Sequence, residues 1–344
     1  MEAIPNILRG MNLQLRKTSM IDHLYRDLVM KADTKRMQPV VWHHRKPAKS
    51  NPLCLYCGRW VGESSTLSSN KEHLIAREFV PKGAFGDGNA FNFIFRACER
   101  CNNEKSDAER HISSVTLHNS ISQGNNLIYA DIALRKASKD YHPDKRGMLV
   151  KDAGDQHSLT VAFGPVQLTA TLTSPPQLNR DFVERLCFMH MQGLYAYLFT
   201  DNYVIESDVD LLQKQDFLFY ASFVHSDWGN PALQEVTKRS EELNCVLNIN
   251  TADKNFKAIV YQETDERGAL FWALEWNQYL RVIGGISKNR SMPTVLSNLP
   301  QSTWGEWFMG DDGLETRVKN EISLSDDDDT LFHGTPKKSP FRER

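Results

Sequence analysis

Four of the six cysteines stand in two pairs of equal spacing, Cys54-Leu55-Tyr56-Cys57 and Cys98-Glu99-Arg100-Cys101. A Cys-x-x-Cys pair presents two thiolates from one tight knuckle, and two knuckles supply four sulfurs at the corners of a tetrahedron. That donor set suits Zn2+. The chain starts without an apolar core of the secretory type, so a reducing compartment is expected and disulfides are not. A redox site of the thioredoxin kind would need a βαβ context, which is absent. Cys187 and Cys245 stand alone and read as small buried hydrophobes.

The 40 residues between the two pairs exceed a simple zinc ribbon and must hold further structure. Inside that gap lies Lys71-Glu72-His73-Leu74-Ile75, an acid beside a histidine. Asn92 precedes the apolar run Phe93-Ile94-Phe95. The second knuckle runs directly into Asn102-Asn103-Glu104-Lys105. Taken alone, His73 would read as an ordinary surface histidine. Its setting between the knuckles makes it a candidate for chemistry.

The order CxxC, Glu-His, Asn, CxxCN, Lys resembles the HNH nuclease family in its zinc-bound variant, over about residues 50–115. The resemblance implies a zinc-stabilised ββα-metal module in which one divalent ion sits between a hairpin and a helix. It implies structural zinc on Cys54, Cys57, Cys98 and Cys101. Glu72 matches the carboxylate ligand of the catalytic ion, and His73 matches the general base. Asn92 matches the Asn that orders the loop, and Asn102 the metal ligand borne on the helix. Lys105 matches a lysine that contacts phosphate or orders the site. Glu72 stands where Asp is commoner. An Asn at the third motif position is shared with the HNN subgroup and with the HNH domain of RNA-guided CRISPR nucleases.

The implied chemistry is phosphodiester hydrolysis. A neutral imidazole takes a proton from water near pH 7, and Mg2+ or Mn2+ neutralises charge on the phosphate and the leaving oxygen. Mg2+ keeps several waters, so one carboxylate and one amide oxygen suffice from the protein. Zinc has a separate task. A small ββα unit has little core of its own, and structural Zn2+ binding is worth about 10–16 kcal/mol in finger peptides.

These residues need elements to hold them. Residues 12–37 carry apolar side chains at helical spacing with basic residues among them, which predicts an N-terminal helix. A short strand at Val40-Val41-Trp42 and a basic run, His43-His44-Arg45-Lys46-Pro47, follow. Asn103 to Asn119 reads as a helix. Residues 158–172 alternate like strands about a turn at Gly164-Pro165, and 181–200 read as a buried helix. Strands are expected at 244–250, 256–262 and in parts of 269–286. The fold class is therefore α+β, with a C-terminal mixed α+β domain. The polar, irregular stretch 138–156 marks a boundary region. The units are taken as a basic helical segment (1–50), the HNH module (51–125), an accessory domain (126–310) and a tail (311–344). The tail, with Asp326-Asp327-Asp328-Asp329 and Pro336-Lys337-Lys338-Ser339-Pro340, has the composition of a disordered segment.

With 344 residues, 40% hydrophobic and 24% charged, the chain can bury a sizeable core. The apolar stretch Leu186 to Thr200 is too short to span a bilayer, so no membrane role and a cytoplasmic location are expected. Residues 1–150 carry 23 Lys+Arg against 15 Asp+Glu, and residues 151–344 carry 18 against 28. A basic N-terminal half fits a polyanion partner. DNA is the expected one, with RNA as the alternative. The expected activity is a metal-dependent DNA endonuclease or nickase, of the kind that serves host defence or mobile elements. Two alternatives stand beside it. One is a zinc-shaped nucleic-acid-binding module without cleavage. The other is an effector nuclease gated by a ligand or partner protein at the C-terminal domain. The sequence leaves oligomeric state and sequence specificity open.

Overall fold

A computed structural model describes residues 51–336, apart from 52, 63–64, 87–90, 200–211, 213, 264–267, 288–290, 303 and 310–314. The helix, strand and basic run expected within 1–50 lie outside the described residues, as do residues 337–344 at the end of the tail. Two short strands, β1 (Ser69–His73) and β2 (Ile94–Cys98), pair antiparallel, with Ser69 opposite Cys98 and His73 opposite Ile94. Helix α1 (Glu99–Ser122) follows β2 without a linking residue. It begins four residues earlier than its apolar periodicity indicates, because its first turn carries the second knuckle.

After α1 come α2 (Ala130–Ala137), the ribbon β3 (Gln156–Phe163) and β4 (Val166–Thr173), and α3 (Arg180–Phe199). The turn between β3 and β4 falls at Gly164, whose φ of 61° suits glycine. The main sheet holds β5 (Phe217–Val224), β6 (Asn244–Thr251), β7 (Phe256–Gln262), β8 (Leu270–Trp276) and β9 (Leu280–Ile286). Its strand order is β5-β9-β8-β7-β6, and every neighbour is antiparallel. Helix α4 (Pro231–Ser240) lies between β5 and β6 in sequence, and β10 (Trp304–Met309) pairs with β11 (Glu315–Lys319) near the end. The architecture is mixed α+β. No helix among the described residues is long and apolar enough to cross a membrane.

Both faces of the sheet are covered, so its strands are apolar on both sides. Ala258, Val260, Trp272, Leu274 and Trp276 face one core, which also contains Ile112 of α1 and Leu186 and Leu194 of α3. Ile259, Phe271, Ala273 and Ile283 face the other, with Leu233 and Val236 of α4. The alternation of neighbours between cores is the two-residue period of a strand.

The first core corrects the boundary expected at residues 125/126. Cys54, Leu74, Phe79 and Phe93 share it with Met189, Leu194, Phe256 and Trp272, so the knuckle unit and the sheet bury one another. Polar contacts extend this seam. Asn277 Nδ2, in the β8–β9 turn, donates to Thr116 Oγ1 of α1 at 2.9 Å and to the Phe79 carbonyl at 3.2 Å. Asn126 Nδ2 donates to Asn255 Oδ1 and to the Asn277 carbonyl, each at 2.9 Å. The stretch read as a boundary region is itself pinned, with Lys145 donating to the Ala153 carbonyl at 2.6 Å and pairing with Asp155 at 2.6 Å.

The expected disorder of the tail is also corrected for residues 315–336. Leu331 is buried in the second core. Arg281, fully buried on β9, pairs with both Asp329 and Glu275 and lies 3.5 Å from the centroid of the Trp228 ring. Composition reads an acidic run as solvated, but one of its carboxylates has a buried arginine to neutralise.

Candidate active site and metal centre

The first knuckle is shaped by its backbone. Gly58 N donates to the Cys54 carbonyl and Cys54 N to the Arg59 carbonyl, both at 2.8 Å, and Gly58 adopts φ 68°. Cys98 ends β2 and Cys101 lies in the first turn of α1. Asn51, just before the first knuckle, ties it to β2: its Oδ1 accepts from Arg96 N at 2.6 Å and its Nδ2 donates to the Arg96 carbonyl at 2.8 Å. All four thiols are free, and their sulfurs lie within 4.8 Å of one another. Cys57 and Cys98 sulfurs are 3.7 Å apart. A Zn–S bond of about 2.3 Å implies a tetrahedron edge of about 3.8 Å, so four-sulfur zinc fits this geometry. Hydrogen bonds from Cys101 and then Cys54 pull Cys57 and Cys98 toward the thiolate, while burial pushes Cys54 up. A bound cation would remove the remaining protons.

Tyr56, inside the first knuckle, links this centre to the acid–histidine pair. Its hydroxyl donates to Glu72 Oε1 at 3.1 Å. Alternation along β1 turns Glu72 into the protein, leaves Lys71 exposed, and half buries His73. Lys105, one turn into α1 beyond Asn102, has no exposed surface. Its ammonium sits 2.7 Å from Glu72 Oε1 and 2.7 Å from Glu109 Oε1, and donates to the His73 carbonyl at 3.0 Å. Burial alone would lower the Lys105 pKa, but Glu109 and Glu72 outweigh it and raise it. Burial raises Glu72, against the opposing pull of Lys105. Burial also pushes Glu109 up, but Lys105 holds it below its ordinary range. Two carboxylates thus share one ammonium.

This geometry bears on two roles implied by resemblance. Lys105 is enclosed and cannot contact a phosphate; it orders the site. Glu72 is not a freely presented ligand, since its Oε1 is spent on Lys105 and Tyr56. Only Oε2 retains capacity for a divalent ion. Asn102 is half-buried, and no hydrogen bond or ion pair among the described residues joins it to Glu72 or His73. Were a divalent ion held here, Glu72 Oε2 and the Asn102 amide oxygen would supply it with few protein ligands, so Mg2+ or Mn2+ would keep several waters.

Asn92 brackets the residue two beyond His73. Its Nδ2 donates to the Ile75 carbonyl at 2.7 Å and its Oδ1 accepts from Ile75 N at 3.2 Å. His73 Nε2 is enclosed and has no hydrogen-bond partner. Burial, then the charges of Lys71, Arg77 and Lys105, lower the His73 pKa to about 4, so the ring is neutral at pH 7. On α3, Gly193 makes room for Leu74, which a Cβ there would strike. His111 stands apart from this cluster, accepting from Asn179 N at 2.9 Å and packing edge-on against His142.

Sequence reasoning missed Tyr56, Glu109 and His190. Glu109 carries a signal, since it follows Lys105 by four residues and so shares its helix face. His190 carries none, because its approach to Glu109, at 3.8 Å, depends on how α3 packs. Compared with protein-family models, with curated proteins and with solved structures, the chain matches none.

Proposed function

We propose that this chain is a metal-dependent endonuclease of the HNH type, hydrolysing phosphodiester bonds of DNA with His73 as general base. In this reading β1, β2 and α1 form the ββα-metal fold, and zinc on the four cysteines joins hairpin to helix. The observation that carries it is the arrangement of the module: β1, which bears Glu72 and His73, pairs with β2, β2 runs directly into α1, and the four sulfurs gathered within 4.8 Å join the first knuckle to that strand–helix junction. A neutral imidazole takes the proton of an attacking water, the water oxygen bonds to phosphorus, and the bond to the leaving 3′ oxygen breaks. Mg2+ or Mn2+ bound through Glu72 Oε2 and Asn102 would neutralise charge at the phosphate and the leaving oxygen. Asn92 and Lys105 hold the backbone that carries His73.

Incubation of supercoiled plasmid with the zinc-loaded chain and Mg2+ or Mn2+ tests the proposal. Nicking by the wild type that is lost in His73→Ala is the expected result. No nicking with either ion, or equal nicking by both proteins, removes it. One observation favours a second reading, a nucleic-acid-docking module without cleavage. Lys105 already occupies Glu72 Oε1, where a catalytic cation would otherwise compete. Salt-dependent DNA binding without any cleavage selects that alternative.

A further inference from the structure

We propose that Glu109, which lies outside the motif, is a positioning residue for His73. The inference deepens the nuclease reading and rests on it for its catalytic consequence. Four residues in succession, His73 to Ala76, have polar backbone groups held from other parts of the fold. Lys105 takes the His73 carbonyl at 3.0 Å. Phe93 O accepts from Leu74 N at 2.8 Å. Asn92 takes both polar groups of Ile75. Glu109 Oε1 accepts from Ala76 N at 3.1 Å and from Lys105 Nζ at 2.7 Å.

A single oxygen therefore anchors both ends of the segment, one directly and one through the ammonium. Without it, Lys105 keeps one carboxylate and leans toward Glu72, and the Ala76 amide loses its partner. Glu109 is itself fixed. It is 5% exposed, and the His190 ring beside it is walled by Phe79, Phe256 and Trp276 at centroid distances of 5.7, 5.2 and 5.5 Å. The helix α3 and the main sheet thereby set the backbone from which His73 projects. Misplacing a reacting group by about 1 Å costs on the order of 100-fold in rate, and loss of an outer-shell partner about 10- to 100-fold.

The test compares wild type, Glu109→Ala and Glu109→Gln as full zinc-loaded chains. Plasmid-nicking kinetics are read beside hydrogen exchange of the peptide spanning 73–77. In Glu109→Ala, kcat is expected to fall about 10- to 100-fold with KM for DNA unchanged, and exchange at 74–76 to accelerate at constant zinc content. Glu109→Gln keeps an acceptor oxygen but not the charge, and is expected to lie between the two in both readouts. Wild-type kcat in Glu109→Ala, or unchanged exchange at 74–76, overturns the proposal. Should Glu109→Ala fail to fold, wild-type kcat in Glu109→Gln overturns it equally. If the wild type nicks nothing, the nuclease reading fails by itself, and exchange at 74–76 alone decides whether Glu109 positions the segment.

Discussion

Replacing Lys105 by Met removes the ammonium that two buried carboxylates share, while keeping nearly the same volume. Little cavity cost is expected from so close a change in shape. What remains is electrostatic. Glu72 and Glu109, each 5% exposed, would face one another across the space the ammonium filled, and the His73 carbonyl would lose its donor. Breaking a buried pair by deleting one partner costs about 3–5 kcal/mol. For a chain of 344 residues that is a fall in Tm of about 4–7 °C. The loss has a pH signature. With the cation gone, both carboxyl pKa values rise above their unfolded values. Such groups stabilise the fold below the unfolded pKa and lose that contribution as pH rises through the folded value. The gap between Lys105→Met and wild type should therefore widen from pH 5 to pH 8. Urea unfolding of both zinc-loaded proteins at these pH values measures it. A cost under about 1 kcal/mol, typical of exposed pairs, or a gap that narrows with rising pH, would refute the assignment of Lys105 as the shared counter-ion.

Two further predictions concern the metal centre and acid stability. The purified chain is expected to bind one Zn2+, and Cys57→Ser or Cys101→Ser to lose it, whereas Cys187→Ser, buried away from the cluster, keeps full zinc content by metal analysis. Burial first of all lowers both His111 and His190 to about 4, so each is neutral in the folded chain. Unfolded histidines protonate near 6.5, and the unfolded state therefore binds up to two extra protons between about pH 6.5 and 4. Stability from these groups is full above that window and lost as pH falls through it, at up to about 3 kcal/mol per pH unit near pH 5. His73, also near 4, adds to the measured slope, so urea titrations should show a reduction of about one third in His190→Gln; an unchanged slope would remove His190 from the account.

What could be read from the residues was what spacing encodes. Two Cys-x-x-Cys pairs predict a four-sulfur cluster wherever the chain brings them together, and the strands over 244–250 and 256–262 match β6 and β7 because alternating and β-branched residues report a pleated surface. Burial of polar residues was not legible. Thr116, Asn119 and Ser120 face inward on α1, so its apolar period is weak, and Thr116 and Asn119 each have a partner, Asn277 and Tyr279, that lies about 160 residues away. The resemblance left Lys105 either to contact phosphate or to order the site. Only the positions of Glu72 and Glu109 show that it is spent internally. The boundary near 125 and the loose tail were inferred from polarity alone, which cannot distinguish a solvated loop from one held by specific side-chain partners such as Lys145 or Arg281.

The bond from Arg281 to Asp329 also bears on how the chain matures. The arginine is translated 48 residues before its partner, a gap of about 2–10 s at ordinary elongation rates. During that interval the outer face of the sheet lacks Leu331, and Arg281 has only Glu275 for a carboxylate partner. A ribosome-bound chain therefore carries an unfinished surface until Asp329 and Leu331 emerge. Truncation just before Asp329 would leave that surface permanently bare, inviting chaperone capture or aggregation.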